Sequence, residues 1–165
     1  FKNFYKTFPQ NEQADEAAYL TAYCYYLEAP KHSLDQAYTF KAINEIQLYI
    51  NTHPKSDKLE DCNSYMEELR SKLELKSYEI AYQYFKTRQY KAAMTAFTTT
   101  VSEYPDTPYR EDALYYKTLA AFKLANNSLA SLQDERFTEA KTALNDFEEA
   151  FPNSERIEDL RKLIH

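Results

Sequence analysis

Apolar and polar positions along the chain recur with helical spacing around four prolines. The four segments align without gaps: FKNFYKTFPQN, IQLYINTHPKS, FTTTVSEYPDT and LNDFEEAFPNS, with prolines at 9, 54, 105 and 152, which are 45 to 51 residues apart. Eight residues before the prolines stand Phe1, Ile46, Phe97 and Leu144, and twelve before the last three stand Ala42, Ala93 and Ala140. Residues three or four apart share one helix face, and proline cannot continue a helix. The pattern therefore predicts amphipathic helices that end at each proline.

The same pattern predicts a chain of helices. Their expected ranges are 1–8, 11–29, 33–53, 56–87, 90–104, 107–133, 135–151 and 154–165. The predicted helix over 107–133 includes the polar segment that precedes the last hairpin. Helix starts are expected where polar capping residues follow a turn. These are Ser33 with Gln36, Asp57 with Glu60, Thr107 before Pro108, and Asn153 or Ser154.

A helix pair with one apolar face cannot bury that face alone, so neighbouring pairs are expected to stack on one another. The expected fold is all-α, an α-solenoid of antiparallel helix hairpins similar to tetratricopeptide repeats. We expect one repeat domain over 1–165, with approximate units 1–29, 33–77, 78–133 and 135–165. The first unit is the end of one repeat and the next helix, and the last is a closing hairpin.

Composition narrows the possible functions. The 165 residues include no glycine, which excludes the phosphate-binding loops and nucleophile elbows that depend on glycine. The net charge is −6, which argues against binding to nucleic acid or to an anionic membrane. No apolar run approaches the length of a membrane-spanning helix.

Catalytic and metal-binding chemistry is not indicated. The histidines are His32, His53 and His165, and none has another His or Cys at metal-ligand spacing. Adjacent acidic residues are explained by solvated helix faces. We therefore expect no enzyme activity, no metal and no cofactor. Cys24 and Cys62 are expected to be buried small apolar residues, with a disulfide as the alternative.

The residues that could bind a partner are aromatic or basic. Most of the 16 tyrosines should pack between helices. Tyr25-Tyr26 and Tyr115-Tyr116 are adjacent pairs, so one member of each is a candidate for an exposed concave surface. Basic residues near the best-formed repeat could pair with carboxylates of a partner. The predicted partner-binding residues are Tyr26, Arg88, Lys91, Arg110 and Tyr116.

Residues 78–105 resemble a tetratricopeptide repeat. The small, aromatic and proline positions of that repeat are occupied by Ala81, Tyr84, Tyr90, Ala93, Phe97 and Pro105. The order of segments is similar to a narrower family, the BamD-type lipoproteins of the outer-membrane β-barrel assembly machine. That order is a Ser-x-Asp-Gln helix entry at 33–36, an unbroken helix of about 30 residues, and then the YPDT unit. The resemblance spans nearly the whole chain.

The resemblance implies a non-catalytic scaffold at the periplasmic face of the outer membrane. It implies that the repeats bind a barrel assembly subunit with periplasmic domains, and that unfolded barrel precursors are further partners. No nucleic acid is expected, and the membrane is expected to be reached only through a lipid anchor. Because the chain starts at Phe1, we expect it to be the C-terminal fragment of such a protein, with that anchor outside it. The alternatives are a periplasmic peptide-binding module, such as a Tol-Pal-associated cell-division coordinator, and glycan binding on exposed tyrosines.

Overall fold

A computed structural model describes residues 1–164, and the fold is all-α, as the sequence predicts. The helices, in chain order, are α1 Lys2–Thr7, α2 Ala14–Glu28, α3 Ala37–Thr52, α4 Leu59–Lys86, α5 Tyr90–Glu103, α6 Arg110–Asn126, α7 Ala130–Ala150 and α8 Arg156–Arg161, followed by a 3-10 turn Lys162–Ile164. The predicted last helix ran to His165, which lies outside the described residues. Within 1–164, none of the helices is both long and apolar enough to cross a bilayer.

The chain forms two compact units, residues 1–73 (unit 1) and residues 74–165 (unit 2). Helix α4 contributes its first part to unit 1 and its last part to unit 2. In unit 1, α2 packs on α3; in unit 2, α6 packs on both α5 and α7. Each unit has its own buried clusters. The single repeat domain with four units stays a prediction.

Four helices end in the same way, each at the residue before a proline. These residues are Phe8, His53, Tyr104 and Phe151, with φ between −137° and −125° and ψ between 58° and 72°. The proline ring disfavours helical geometry in the preceding residue, so the backbone leaves the helix at this point. In each case the amide N–H still donates to the carbonyl four residues earlier, at 2.9–3.0 Å. The predicted proline stops are confirmed.

The predicted core positions are confirmed in α3, α5 and α7 but are wrong in the first segment, where Phe1 is 65% exposed and α1 buries none of its residues. The alanines twelve residues before a proline, at 42, 93 and 140, are completely buried. The apolar residues one turn later in the chain, Ile46, Phe97 and Leu144, are buried beside them. A small alanine lets a neighbouring helix approach closely, and the larger side chain fills the remaining space. The sequence repeat thus corresponds to the same packing arrangement, a buried alanine beside a larger buried side chain, in α3, α5 and α7.

A side-chain oxygen closes the turn before five of the helices. In each turn this oxygen accepts a hydrogen bond from the backbone N–H two residues later. The oxygens belong to Asn11, Asp35, Ser56, Thr107 and Ser154. Thr107 and Ser154 were predicted. The Ser33–Gln36 capping box is wrong, because Asp35 supplies the oxygen before α3 and Gln36 binds backbone carbonyls instead. Before α4, Ser56 has the role that the sequence suggested for Asp57.

The boundary between α6 and α7 differs from the prediction. The sequence predicted a helix over 107–133, but α6 ends at Asn126 and α7 begins at Ala130. The hydroxyl of Ser128 and the amide of Asn127 bind carbonyls of the last turn of α6, which stops that helix. The polar segment therefore lengthens α7, which has 21 residues against 14 in α5.

The two cysteines lie in different environments. Cys62 is completely buried, as predicted, and burial raises the pKa of its thiol. Cys24 is exposed, so the prediction that both are buried is wrong for Cys24. Tyr23 and Tyr26 stack beside it on α2, so the aromatic residues occupy the packed positions and Cys24 falls between them. Both thiols are free.

Gln36 closes the turn between α2 and α3 from inside. Its side chain is 5% exposed, and its amide nitrogen donates to the carbonyls of Lys31 and Leu34 at 2.8 and 2.9 Å. Its amide oxygen accepts a hydrogen bond from the Thr39 hydroxyl at 2.7 Å. The side chain thus satisfies the polar groups of a turn that has no glycine.

We expect Gln36→Glu to destabilise unit 1 by about 2 kcal/mol at neutral pH, because a buried carboxylate would face two carbonyl oxygens. Urea unfolding measures the change. Gln47→Glu is the control, since Gln47 is exposed and its side-chain amide donates to the exposed Asn51. Equal stability of the two variants would contradict this role of Gln36.

Candidate protein-binding surfaces

Four tyrosines of unit 1 form a stacked cluster. Tyr19, Tyr23 and Tyr26 follow one face of α2, and Tyr65 of α4 packs against them. The rings of Tyr26 and Tyr65 stack with their centroids 4.3 Å apart, and the Tyr19 and Tyr65 hydroxyls are 3.4 Å apart. All four rings are partly buried. Tyr26, a predicted partner-binding residue, is therefore held in place by its neighbours and keeps one side in solvent.

The hydroxyl of Tyr26 is fixed by a charged neighbour. It donates a 2.5 Å hydrogen bond to Glu68, and Lys72 lies 3.3 Å from the same carboxylate. The bond to Glu68, together with burial, raises the pKa of Tyr26 to about 12. The same hydrogen bond lowers the pKa of Glu68. This edge of the cluster presents a tyrosine, a carboxylate and an ammonium in a fixed arrangement.

A cleft of about 360 Å³ lies between α1, α2 and α3 in unit 1. His53 and Asp15 line it, with the His53 Nε2 atom 3.5 Å from a carboxylate oxygen of Asp15. The Tyr49 hydroxyl donates to that same carboxylate at 3.0 Å, and Ser56 lies 2.7 Å from the hydroxyl. Burial, with the bond to Asp15, raises the pKa of Tyr49 to about 12. These bonds tie the end of α3 to the start of α2.

The aromatic cluster of unit 2 surrounds Tyr116, the second predicted tyrosine. Its ring lies 4.9 Å from Tyr82 and 5.2 Å from Phe85, both on α4. Burial and the Tyr82 hydroxyl raise the pKa of Tyr116. Tyr115 points to a different cluster, where the guanidinium of Arg156 lies 4.9 Å from its ring centre. Each member of this adjacent pair is therefore half-buried, in a separate cluster.

Arg88 has an unusual backbone. Its φ is 62°, in the left-handed region that favours glycine. Its N–H donates to the carbonyl of Phe85, and the N–H of Gln89 donates to the carbonyl of Tyr84. This pair of bonds is the Schellman motif that closes many helices. Arg88 thus ends α4 in a backbone conformation that is less favourable for arginine than for glycine. Its side chain is exposed.

The three predicted basic residues do not form one surface. Arg88 and Lys91 are exposed and lie together at the turn between α4 and α5. Arg110 begins α6 and donates to the carbonyl of Pro105 at 3.2 Å. The 14 residues of α5 separate these positions by about 20 Å. Unit 2 therefore has two separate candidate sites.

The sequence pattern did not identify Tyr65, Glu68 or Lys72 as parts of a candidate site. They come from α4 and reach Tyr26 only through folding. One available signal is the repeat of spacing: Tyr19, Tyr23 and Tyr26 are four and three apart, as are Tyr78, Tyr82 and Phe85. Equal spacing indicates that both helices present the same kind of aromatic face.

Across residues 1–164, no group of three or more His, Cys, Asp or Glu residues is arranged to hold a metal.

Helix pairs with repeated proline stops and aromatic faces define an all-α protein of tetratricopeptide-like repeats. Among known families, the one described as YfiO, an outer membrane lipoprotein, matches residues 1–131. The chain belongs to this family, which confirms the location implied by the resemblance, the periplasmic face of the outer membrane.

A similar protein is the outer membrane protein assembly factor BamD of Caulobacter vibrioides. The two are 26% identical over 112 residues, which is 68% of this chain and 37% of that protein. The chain therefore aligns with little more than a third of this relative's length.

Removing the Tyr26 hydroxyl tests the charged edge of the unit 1 cluster. We expect Tyr26→Phe to raise the pKa of Glu68 towards its ordinary value, measured by NMR titration of the carboxyl carbon. Because the folded-state pKa of Glu68 is the lower one, its stabilisation is present above the unfolded-state pKa and is lost as the pH falls through the folded-state pKa. Tyr23→Phe is the control, and an unchanged Glu68 pKa in Tyr26→Phe would contradict the assignment.

We expect Arg88→Gly to stabilise unit 2 by about 0.5–1 kcal/mol, because glycine adopts a positive φ without a steric penalty. Thermal and urea unfolding measure the change. Thr87→Gly, one residue earlier and outside the left-handed region, is expected to be neutral or destabilising. A loss of stability in Arg88→Gly would show that the arginine side chain stabilises the fold.

Proposed function

We propose that this chain is a non-catalytic scaffold in outer-membrane β-barrel protein assembly, which binds the barrel subunit of the assembly machine through its repeats. The observation that carries the proposal is the family match over residues 1–131, together with a relative described as an assembly factor. A Tol-Pal-associated coordinator, the alternative from the sequence, is not favoured by these matches. Unfolded barrel precursors are proposed as further partners.

The proposed mechanism is non-covalent presentation of rigid surfaces. Stacked tyrosines lose little side-chain freedom on binding, so they offer a large contact area at small entropic cost. Tyr26 and Tyr116 are each braced by two or more aromatic contacts and are half-buried. They are our candidates for the centre of contact surfaces in units 1 and 2, respectively.

Arg110 is our candidate for a charged contact at one end of unit 2. Its side chain is anchored by the Pro105 carbonyl and is partly exposed. An anchored guanidinium can pair with a partner carboxylate with less loss of side-chain freedom. Arg88 and Lys91, at the other end of α5, stay candidates for a separate contact.

Retention of partners from outer-membrane extracts tests the proposal. The chain is immobilised and incubated with detergent-solubilised outer membranes, and retained proteins are identified by mass spectrometry. We expect retention of a barrel protein that has periplasmic domains. Retention of Tol-Pal components without it would overturn the proposal in favour of the coordinator.

Two charge-reversal variants test the proposed contact between Arg110 and the barrel subunit. We expect Arg110→Glu to weaken the binding of the barrel subunit by about tenfold, because it replaces an attractive contact with a repulsive one. Lys141→Glu changes the net charge equally at an exposed position of α7 and should bind as the unchanged chain does. Equal binding of both variants would exclude Arg110 from the contact, and the retention experiment would still test the function.

A further inference from the structure

Two stretches of unit 2 contain basic residues and no acidic ones. Residues 80–102 include Lys86, Arg88 and Lys91, and residues 113–133 include Lys117 and Lys123. The chain as a whole has 26 acidic and 20 basic residues, so its negative charge lies elsewhere. The net charge of −6 therefore conceals a marked local asymmetry.

The fold brings most of these basic residues to one end of unit 2. The first turn of α5, the end of α6 and the start of α7 meet around a cleft of about 300 Å³ lined by Lys91, Leu124 and Arg136. The end of α4 joins them, because the rings of Phe85 and Tyr90 are 5.9 Å apart. We call this the basic end: its basic residues are Lys86, Arg88, Lys91, Lys123 and Arg136, and its acidic residues are Asp134, Glu135 and Glu139.

Acidic residues collect where α6 and α8 begin. Ser154 donates to Glu111 at 2.7 Å, and Arg156 pairs with Asp112, so the starts of α6 and α8 lie together. Near them in the chain stand Glu103, Asp106, Glu155, Glu158 and Asp159, and the basic residues of the same segments are Arg110, Arg156, Arg161 and Lys162, which leaves three more acidic than basic residues. The α5 helix runs from the basic end to this acidic one, so unit 2 is electrically polarised along its helices.

Apolar side chains project from the basic end. Leu129, immediately before α7, is 75% exposed, which is the largest exposure among the large apolar residues of the described chain. Leu132, one turn further, is 38% exposed. Leu132 lies in the segment by which α7 exceeds α5, and Leu129 stands immediately before that segment. An apolar side chain that projects beside lysine and arginine is typical of proteins that contact a lipid surface.

We propose that the basic end of unit 2 docks on an anionic phospholipid surface, with Leu129 inserted between headgroups. Clustered lysine and arginine side chains are attracted to anionic headgroups, and an apolar side chain adds burial. An acidic protein segment fits less well, because the cleft at this end, where such a segment would bind, is lined by Glu135 and Glu139. The family location at the outer membrane puts such a surface within reach.

Cosedimentation with protein-free vesicles tests the proposal independently of any protein partner. We expect the chain to bind vesicles of phosphatidylglycerol and phosphatidylcholine but not vesicles of phosphatidylcholine alone, with affinity falling as salt rises. The triple variant Lys86→Gln/Lys91→Gln/Lys123→Gln should lose about a hundredfold in affinity. The control Lys55→Gln/Lys141→Gln/Lys162→Gln has the same net charge, changes three exposed lysines outside the basic end, and should bind much more tightly than the first variant.

A fluorescent reporter locates the contact. The chain has no tryptophan, so Leu129→Trp introduces a single one. We expect its emission to shift to shorter wavelength with phosphatidylglycerol vesicles and to stay unchanged with phosphatidylcholine alone. Ile80→Trp, at an exposed apolar position of α4, is the control and should not shift.

Three outcomes would overturn the proposal. The first is no binding to phosphatidylglycerol vesicles at low salt, and the second is equal loss of affinity in the two triple variants. The third is binding of a glutamate-rich peptide at this end without binding to vesicles, which would assign the basic end to an acidic protein. Circular dichroism confirms that each variant is folded before it is compared.

Discussion

The steric clash between a proline ring and a helical preceding residue determines where the helices end. The residues before Pro9, Pro54, Pro105 and Pro152 all leave the helix with nearly the same φ and ψ, while each N–H still closes the last turn. A side-chain oxygen then holds the short turn that leads to the next helix. In α3, α5 and α7 the residues twelve, eight and five positions before the proline have helical spacing and fall on one buried face. The packing of α3, α5 and α7 follows from that constraint.

The absence of glycine has a structural cost at one described position. Arg88 adopts the left-handed conformation that ends α4, where glycine has no steric penalty. Elsewhere, polar side chains close the turns. The clearest case is Gln36, whose buried side-chain amide donates hydrogen bonds to two backbone carbonyls of one turn. A sequence without glycine can therefore form short connections when Asn, Asp, Ser, Thr or Gln bonds to the backbone.

The surface around Tyr116 and the turn between α4 and α5 differ in physical character. Around Tyr116 the surface is aromatic and braced, which suits a shaped protein partner. At the turn between α4 and α5 it is basic, with projecting leucines nearby, which suits a soft anionic surface. The two surfaces adjoin each other, because the ring of Phe85 contacts both Tyr116 and Tyr90.

Much of the fold could be read from the chain itself, because proline, alanine and apolar spacing act locally: the proline stops and the buried face at Ala93 and Phe97 were predicted. The end of α6 was not, because no proline or glycine marks it and side-chain bonds from Asn127 and Ser128 stop the helix.

Candidate site residues were recognised by type, but their grouping required the fold. Arg88 and Arg110 are close in sequence and lie at opposite ends of α5, whereas Tyr26 and Glu68 are 42 residues apart and share a hydrogen bond. The sequence alone determined the helices and their buried faces, since these depend on neighbouring residues; only tertiary structure decided which side chains meet, since that depends on how the helices pack.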